Sequence, residues 1–137
     1  MLQIEHINLV VNDIPETLDF YRAAFPHWQV RDEGEGEWNG KHRRWLHFGD
    51  DYQYLTFNDN GEGKARDLGG HQPGLAHFAF ATSNLDALVR RMDSAGYSVD
   101  HDGGGNAYRK SVYFIDPNGI EIEIVQYVSD LPGERNG

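Results

Sequence analysis

The chain has 137 residues, enough for one ordinary domain, and its 39% hydrophobic and 25% charged residues are the composition of a globular protein. Acidic residues outnumber basic ones 22 to 12, giving a formal charge of −10. That excess argues against nucleic acid or an anionic membrane as the main partner, because phosphate binding needs a basic surface. With no cysteine, disulfides, zinc–thiolate sites, iron–sulfur clusters and Cys nucleophiles are excluded. No apolar run is long enough to span a membrane and Met1–Glu5 does not open a secretory signal, so a cytoplasmic location is expected.

In chain order, Ile7, Leu9 and Val11 alternate with His6, Asn8 and Val10 as in a half-buried strand. Asp13 and Glu16 have capping-box spacing, with Pro15 in the first turn, and Ile14, Leu18, Tyr21 and Phe25 form the predicted apolar stripe of a helix ending near Pro26. A strand is predicted around Trp28–Arg31, a Gly/Glu-rich turn at Asp32–Gly36, and further strands near Arg43–Phe48 and Tyr52–Phe57. A turn-rich linker holding Gly61, Gly63, Gly69, Gly70 and Gly74 follows. The pattern then restarts. Leu75, His77, Ala79 and Ala81 alternate with Ala76, Phe78 and Phe80. Ser83 is the predicted cap of a helix with Leu85, Leu88, Val89 and Met92 on one stripe and Gly96 at its left-handed end. A strand near Tyr97–Asp100, a triple glycine at Gly103–Gly105, a strand near Lys110–Phe114, the turn Asp116-Pro117-Asn118-Gly119 and a strand Ile120–Tyr127 complete it. The tail Ser129–Gly137 is polar and expected to fray.

Both halves therefore read β-α-β-β-β, an internal repeat that implies pseudo-twofold symmetry. His6 to Val30 spans 24 residues and His77 to Val99 spans 22, so counting makes His6 the equivalent of His77 and Tyr54 that of Glu123. The expected architecture is α+β: one domain over 2–128, built of module one (about 2–58), a linker (59–73) and module two (about 74–128).

A helix buries its stripe on one sheet face, and strand alternation sends the other set of side chains away from it. His6, Tyr54, His77 and Glu123 all fall in that second set. Two imidazoles and a carboxylate with open positions suit a divalent transition metal acting as Lewis acid or as activator of water. The plainer reading is a solvated sheet face on which Glu121 and Glu123 do no chemistry.

A His in the first strand, a second His in Gly-Leu-Ala-His-Phe-Ala-Phe, and the run Asp-Pro-Asn-Gly-Ile-Glu-Ile-Glu are similar to the vicinal oxygen chelate superfamily over residues 2–128. That superfamily includes glyoxalase I, extradiol dioxygenases, fosfomycin-resistance thiol transferases and bleomycin-binding proteins. The resemblance implies tandem βαβββ modules with curved mixed sheets around a metal cavity. It implies His6, His77 and Glu123 as ligands of a divalent ion (Mn, Fe, Co, Ni or Zn), and a homodimer. Where the glyoxalase pattern has a fourth ligand, a Glu in the first module, this chain has Tyr54. A neutral phenol is a poor ligand and cannot be a carboxylate base, which disfavours glutathione-dependent isomerisation. The implied function is a metal-dependent enzyme, of lyase, isomerase or dioxygenase type, acting on a small oxygen-bearing substrate. The alternative is a metal-free sequestering protein of the bleomycin-resistance type.

Among the remaining residues, Arg109 could pair with a substrate carboxylate or phosphonate beside Tyr108, under a glycine loop able to close, or the segment is a solvated hairpin. His47 is either a cavity-facing base or a structural histidine. Lys41-His42-Arg43-Arg44 reads as a solvated strand end, and Trp38 and Trp45 as pocket wall or core. His27, His71 and His101 are expected in turns without a role.

Overall fold

The computed structural model describes residues 1–137, which form two compact units, Met1–Lys64 and Ala65–Gly137. Unit 1 runs β1 (His6–Val10), α1 (Ile14–Ala24), β2 (Gln29–Trp38), β3 (Lys41–Gly49) and β4 (Tyr54–Asn58). Unit 2 runs β5 (Phe78–Ala81), α2 (Leu85–Ser94), β6 (His101–Asn106), β7 (Arg109–Ile115) and β8 (Glu121–Tyr127), followed by the single turn α3 (Pro132–Arg135). The expected α+β class with two βαβββ modules is what the chain adopts. The sheets have the orders β1-β4-β3-β2 and β5-β8-β7-β6. In each, the last three strands pair antiparallel, and the first lies parallel to the fourth. A parallel neighbour needs a long crossover, which the helix and the first hairpin strands provide.

In unit 1 the Asp13 carboxylate accepts the Glu16 N–H at 2.8 Å, as the capping-box spacing predicts. The buried stripe differs from the expected one: Thr17, Phe20, Tyr21 and Ala24 face inward, while Ile14, Leu18 and Phe25 are only half-buried. Packing decides the rotation, because the Tyr21 ring sits 5.3 Å from Phe57 and 4.9 Å from Phe20. Leu46 and Phe48 of β3 and Leu55 and Phe57 of β4 complete the core under α1.

The turn expected at Asp32–Gly36 is not there. β2 continues through it for ten residues and reverses at Asn39-Gly40, both in the left-handed region with φ of 51° and 79°. An Asn-Gly pair between strands is the strongest short hairpin signal, and it outweighs glycines and glutamates whose poor strand propensity is overridden by pairing with β3. The register slips between Val30 and Asp32, leaving Arg31 as the extra residue of a β-bulge.

Unit 2 departs from expectation in four places. The α2 cap is Asn84, not Ser83, and its side chain accepts the Ala87 N–H at 3.1 Å. The next N–H, of Leu85, is taken by Gln126 of β8 at 2.9 Å, so the helix start is fixed by the sheet as well. No strand forms at 97–100. Instead β6 contains Gly103–Gly105, because a β-carbon at Gly103 would collide with the Ser111 hydroxyl and one at Gly105 would lie 2.6 Å from the Arg109 carbonyl. The triple glycine is therefore strand rather than a closing loop, close-packed at Gly103 and Gly105, with Gly104 in the left-handed region at a break in the β6–β7 register. Finally, the tail is tied down: the Arg135 guanidinium lies 4.1 Å from the Tyr127 ring centroid, and Asn106 donates to the Gly137 carbonyl at 3.2 Å.

The Asp-Pro-Asn-Gly turn forms as predicted. Asp116, 4% exposed, accepts the N–H groups of Asn118 (2.8 Å) and Ile120 (2.9 Å), and Gly119 takes φ 84°. Asp116→Ala would orphan two backbone donors at the start of β8. An expected loss of about 1–3 kcal/mol is measurable as a lowered urea midpoint with unchanged slope. A midpoint within error of the parent would show that water replaces the carboxylate.

Candidate functional site

In unit 1, β1 and β4 lie side by side with His6 opposite Tyr54. Their rings stack at 4.8 Å with planes 10° apart. His47 of β3 reaches the same ring at 4.7 Å, and Trp45 follows at 4.9 Å from His47. Leu46, Phe48, Leu55 and Phe57 point the other way into the α1 core, so strand alternation alone puts this row on the helix-free face. Gly34, opposite Trp45, leaves space for the indole: a β-carbon there would come within 2.6 Å of it.

Two carboxylates tune the row. Glu5 holds His6 Nδ1 at 2.9 Å, leaving Nε2 as the ring nitrogen for another partner, and the Tyr54 hydroxyl lies 3.4 Å from the same Glu5 oxygen. Burial lowers the pKa of His47, with Asp32 opposing and Arg31 and His6 reinforcing, so its imidazole is a neutral acceptor near pH 7. The Arg31 guanidinium stands 4.3 Å above the Tyr54 ring centroid. No sequence pattern marked Arg31, because its direction depends on the bulge. Beside it a cavity of about 580 Å³ is lined by His27, Gln29, Gly49, Asp50 and Tyr52 among others.

In unit 2, Tyr113 is the organising side chain. It pairs directly across from Glu123. The interaction with that carboxylate, then burial and the charges of Glu123 and Glu121, pushes the phenol up to about 12, so it remains a neutral donor. The His77 ring meets Tyr113 edge-on at 5.1 Å, and His101 stacks on it at 4.5 Å with planes 5° apart. Asp100 anchors His101 Nδ1 at 2.7 Å, and Glu121 lies 4.0 Å from its Nε2. His101 was expected in a turn without a role. It begins β6 instead, and only the pairing with β7 reveals its place beside Tyr113.

Residue counting also needs correction. Tyr54 lies opposite His6, whereas Glu123 lies opposite Ala79, two residues beyond His77. The two halves share a topology but differ in strand register at this point.

The structure thus gathers His6, Tyr54 and His47 in unit 1, and His77 with Glu123 around Tyr113 in unit 2. Arg109 is on the Tyr113 face of β7, opposite Tyr127 and four residues along the strand. Tyr108 sits in the β6–β7 turn, 40% exposed, its N–H on Asn106 and its carbonyl on Val128. Three residues of the basic run are exposed as expected, Lys41 pairing with Glu62 at 3.0 Å and Arg44 with Glu35 at 4.0 Å, but Arg43 is half-buried, its Nε out of solvent and its guanidinium 5.4 Å from the Trp38 ring centroid. Neither unit by itself brings three His, Asp or Glu side chains together at metal-holding distance. No helix is long and apolar enough to cross a membrane.

No curated protein is similar enough in sequence to match the chain. Solved structures do match. A glyoxylase/bleomycin resistance protein/dioxygenase domain from Frankia sp. EAN1pec aligns with TM-score 0.74 at 20% identity, covering 93% of this chain and 98% of that one. The E126Q mutant of the fosfomycin resistance protein FosX from Listeria monocytogenes, complexed with Mn(II) and 1S,2S-dihydroxypropylphosphonic acid, aligns with TM-score 0.72 at 16% identity over 100% and 99%. Lactoylglutathione lyase from Agrobacterium tumefaciens aligns with TM-score 0.62 at 23% identity over 90% and 92%. At these identities the likeness establishes the fold. A sequence model of the Glyoxalase/Bleomycin resistance protein/Dioxygenase superfamily matches residues 3–124, and the chain belongs to that superfamily.

Proposed function

We propose that this protein is a divalent-metal-dependent enzyme acting on a small oxygen-bearing substrate, with His6, His77 and Glu123 as the protein ligands. One observation carries the reading: each candidate ligand has a neighbour that restrains it. Glu5 holds the His6 ring through Nδ1, and Tyr113 lies against the His77 ring and directly across from Glu123. Outer partners of this kind orient metal ligands and tune their basicity. Two neutral imidazoles and one carboxylate fit Mn, Fe, Co, Ni or Zn, and the FosX relative with Mn(II) gives the superfamily precedent. His6 comes from unit 1 and the other two from unit 2, in one chain or across a homodimer.

A bound ion supplies Lewis-acid polarisation of substrate oxygens or a water of low pKa. The chain's own residues do the rest. Tyr113 keeps its proton and stands between Glu123, its cross-strand neighbour, and the His77 ring. His47, neutral through burial and facing Tyr54, is the residue placed to take a substrate proton. Tyr54 occupies the position of a carboxylate in glyoxalase-type sites, so the reading is a three-ligand enzyme of lyase or dioxygenase type rather than a glutathione-dependent isomerase.

Metal analysis of protein prepared without chelator, followed by titration with Mn²⁺, Fe²⁺, Co²⁺, Ni²⁺ and Zn²⁺, tests it. Stoichiometric binding of one of these ions is expected. No binding of any would leave the metal-free small-molecule binder as the function. Tyr54→Phe keeps the ring stacked on His6 and removes only the hydroxyl. Metal content is expected to be unchanged, and a loss of metal in that variant would make the phenol a ligand.

A further inference from the structure

The geometry points to Arg31 as the residue that selects the substrate: it docks an organic oxyanion, a carboxylate or a phosphonate, beside the His6–Tyr54–His47 row. The inference deepens the metal-site reading, and rests on it for the other end of the ligand. Three features of unit 1 support it. Arg31 is the extra residue of the β2 bulge, between Val30 opposite Phe48 and Asp32 opposite His47. Bulges re-aim a side chain out of the strand's alternation, and this one sets the guanidinium over the Tyr54 ring at 4.3 Å. The ring face attracts the cation, which biases its position before any ligand arrives.

Arg31 also has no salt-bridge partner in a strongly acidic chain. It takes part in none of the protein's ion pairs. The carboxylates next to it are turned elsewhere. Asp32 accepts the Glu33 N–H at 2.9 Å, and Asp50 accepts the N–H groups of Tyr52 and Gln53 at 2.8 and 2.9 Å. Those two bonds are the main reason the Asp50 carboxyl lies below its ordinary pKa; the Arg31 charge acts on it too, but as the smallest contribution and without forming an ion pair. The guanidinium donors therefore stay available, and a guanidinium offers a planar fork matched to two oxygens of one anion.

The location defines the ligand class. Arg31 and His6 both lie against the Tyr54 ring, 4.3 and 4.8 Å from its centroid, so a compact molecule can reach both. Its anionic group would lie on Arg31 while neighbouring oxygens would complete the coordination of an ion held at His6. Around it stand Tyr54, His47 and Trp45, which favour a ligand with an apolar or planar body. Arg109, for which the sequence offered this role as one of two readings, sits in the other unit on β7.

Titration of the full chain with benzoate, phenylphosphonate and the neutral benzamide tests the assignment. The readouts are calorimetry and the Arg31 Nε–H signal, each with and without Zn²⁺. At least one of the two anions is expected to bind and shift the Arg31 signal, and benzamide is not. Which anion binds distinguishes carboxylate from phosphonate. Arg31→Gln should weaken binding by about tenfold or more, Arg31→Lys by less, since a point charge lacks the fork. Arg90→Gln, on the exposed face of α2, should leave it unchanged. Equal anion affinity in Arg31→Gln and the parent, or no binding of either anion at millimolar concentration, overturns the assignment. Failure of the metal reading shows separately, as absent Zn²⁺ binding while benzoate or phenylphosphonate still depends on Arg31.

Discussion

Glu123→Gln is expected to lower divalent-metal affinity by more than about 100-fold, beyond the range that loss of an outer partner alone produces. The substitution preserves shape and the Tyr113 contact but removes the negative charge that an ion needs. His6→Ala and His77→Ala should behave alike, since each removes one of three donors. Removing the partners should cost less: Glu5→Gln and Tyr113→Phe are each expected to weaken binding by about 10- to 100-fold. The sign of the pH dependence is fixed by the same chemistry. Only neutral imidazole ligates, so affinity falls as pH drops through the histidine range. Isothermal titration of each variant with Zn²⁺ at two pH values reads all of this. Parent-like affinity in any ligand variant removes that residue from the site. Mixing His6→Ala with Glu123→Ala chains further separates the two assemblies, because partial recovery of binding occurs only where a site draws on both chains.

Phe57→Ala is expected to destabilise unit 1 by about 3–5 kcal/mol. The side chain is fully buried, with its ring 5.3 Å from Tyr21 and 6.5 Å from Phe48. Truncation removes the contact that fixes which face of α1 is buried, and the close-packed surroundings cannot fully collapse into the gap. Chemical denaturation measures the loss. Ile4→Ala, at an 80% exposed position, is the control and should change stability by less than about 0.5 kcal/mol. A loss below about 1 kcal/mol for Phe57→Ala would mean that α1 repacks, and that the observed stripe is one of several accessible rotations.

What the sequence determined by itself was everything governed by neighbours a few residues apart. The Asp13 cap and the Asp116–Gly119 turn are local bonds between side chain and backbone, the left-handed Gly96 after α2 is a local backbone conformation, and their spacing predicts them. The alternation of β8 was equally legible, since Ile122 and Ile124 are buried and Glu121 and Glu123 are not. The duplicated βαβββ order follows from these signals taken together. Asn39-Gly40 belonged to the same class and was legible too, but the glycines upstream of it drew the turn to the wrong place.

Tertiary structure decided whatever depends on a partner strand. The slip that frees Arg31 exists only when β2 is laid against β3, and Gly103 and Gly105 must be glycine because β7 leaves no room for a β-carbon, while Gly104 takes a left-handed φ at a break in the β6–β7 register. His101 gains its partner from β7, and the offset between His77 and Glu123 is set by the β5–β8 register. Cross-strand pairing joins residues far apart in sequence, and its choice of register balances many weak contacts over the whole sheet. No single residue or short pattern encodes that balance, so the faces carrying the chemistry could be named from the sequence, but the neighbours on them could not.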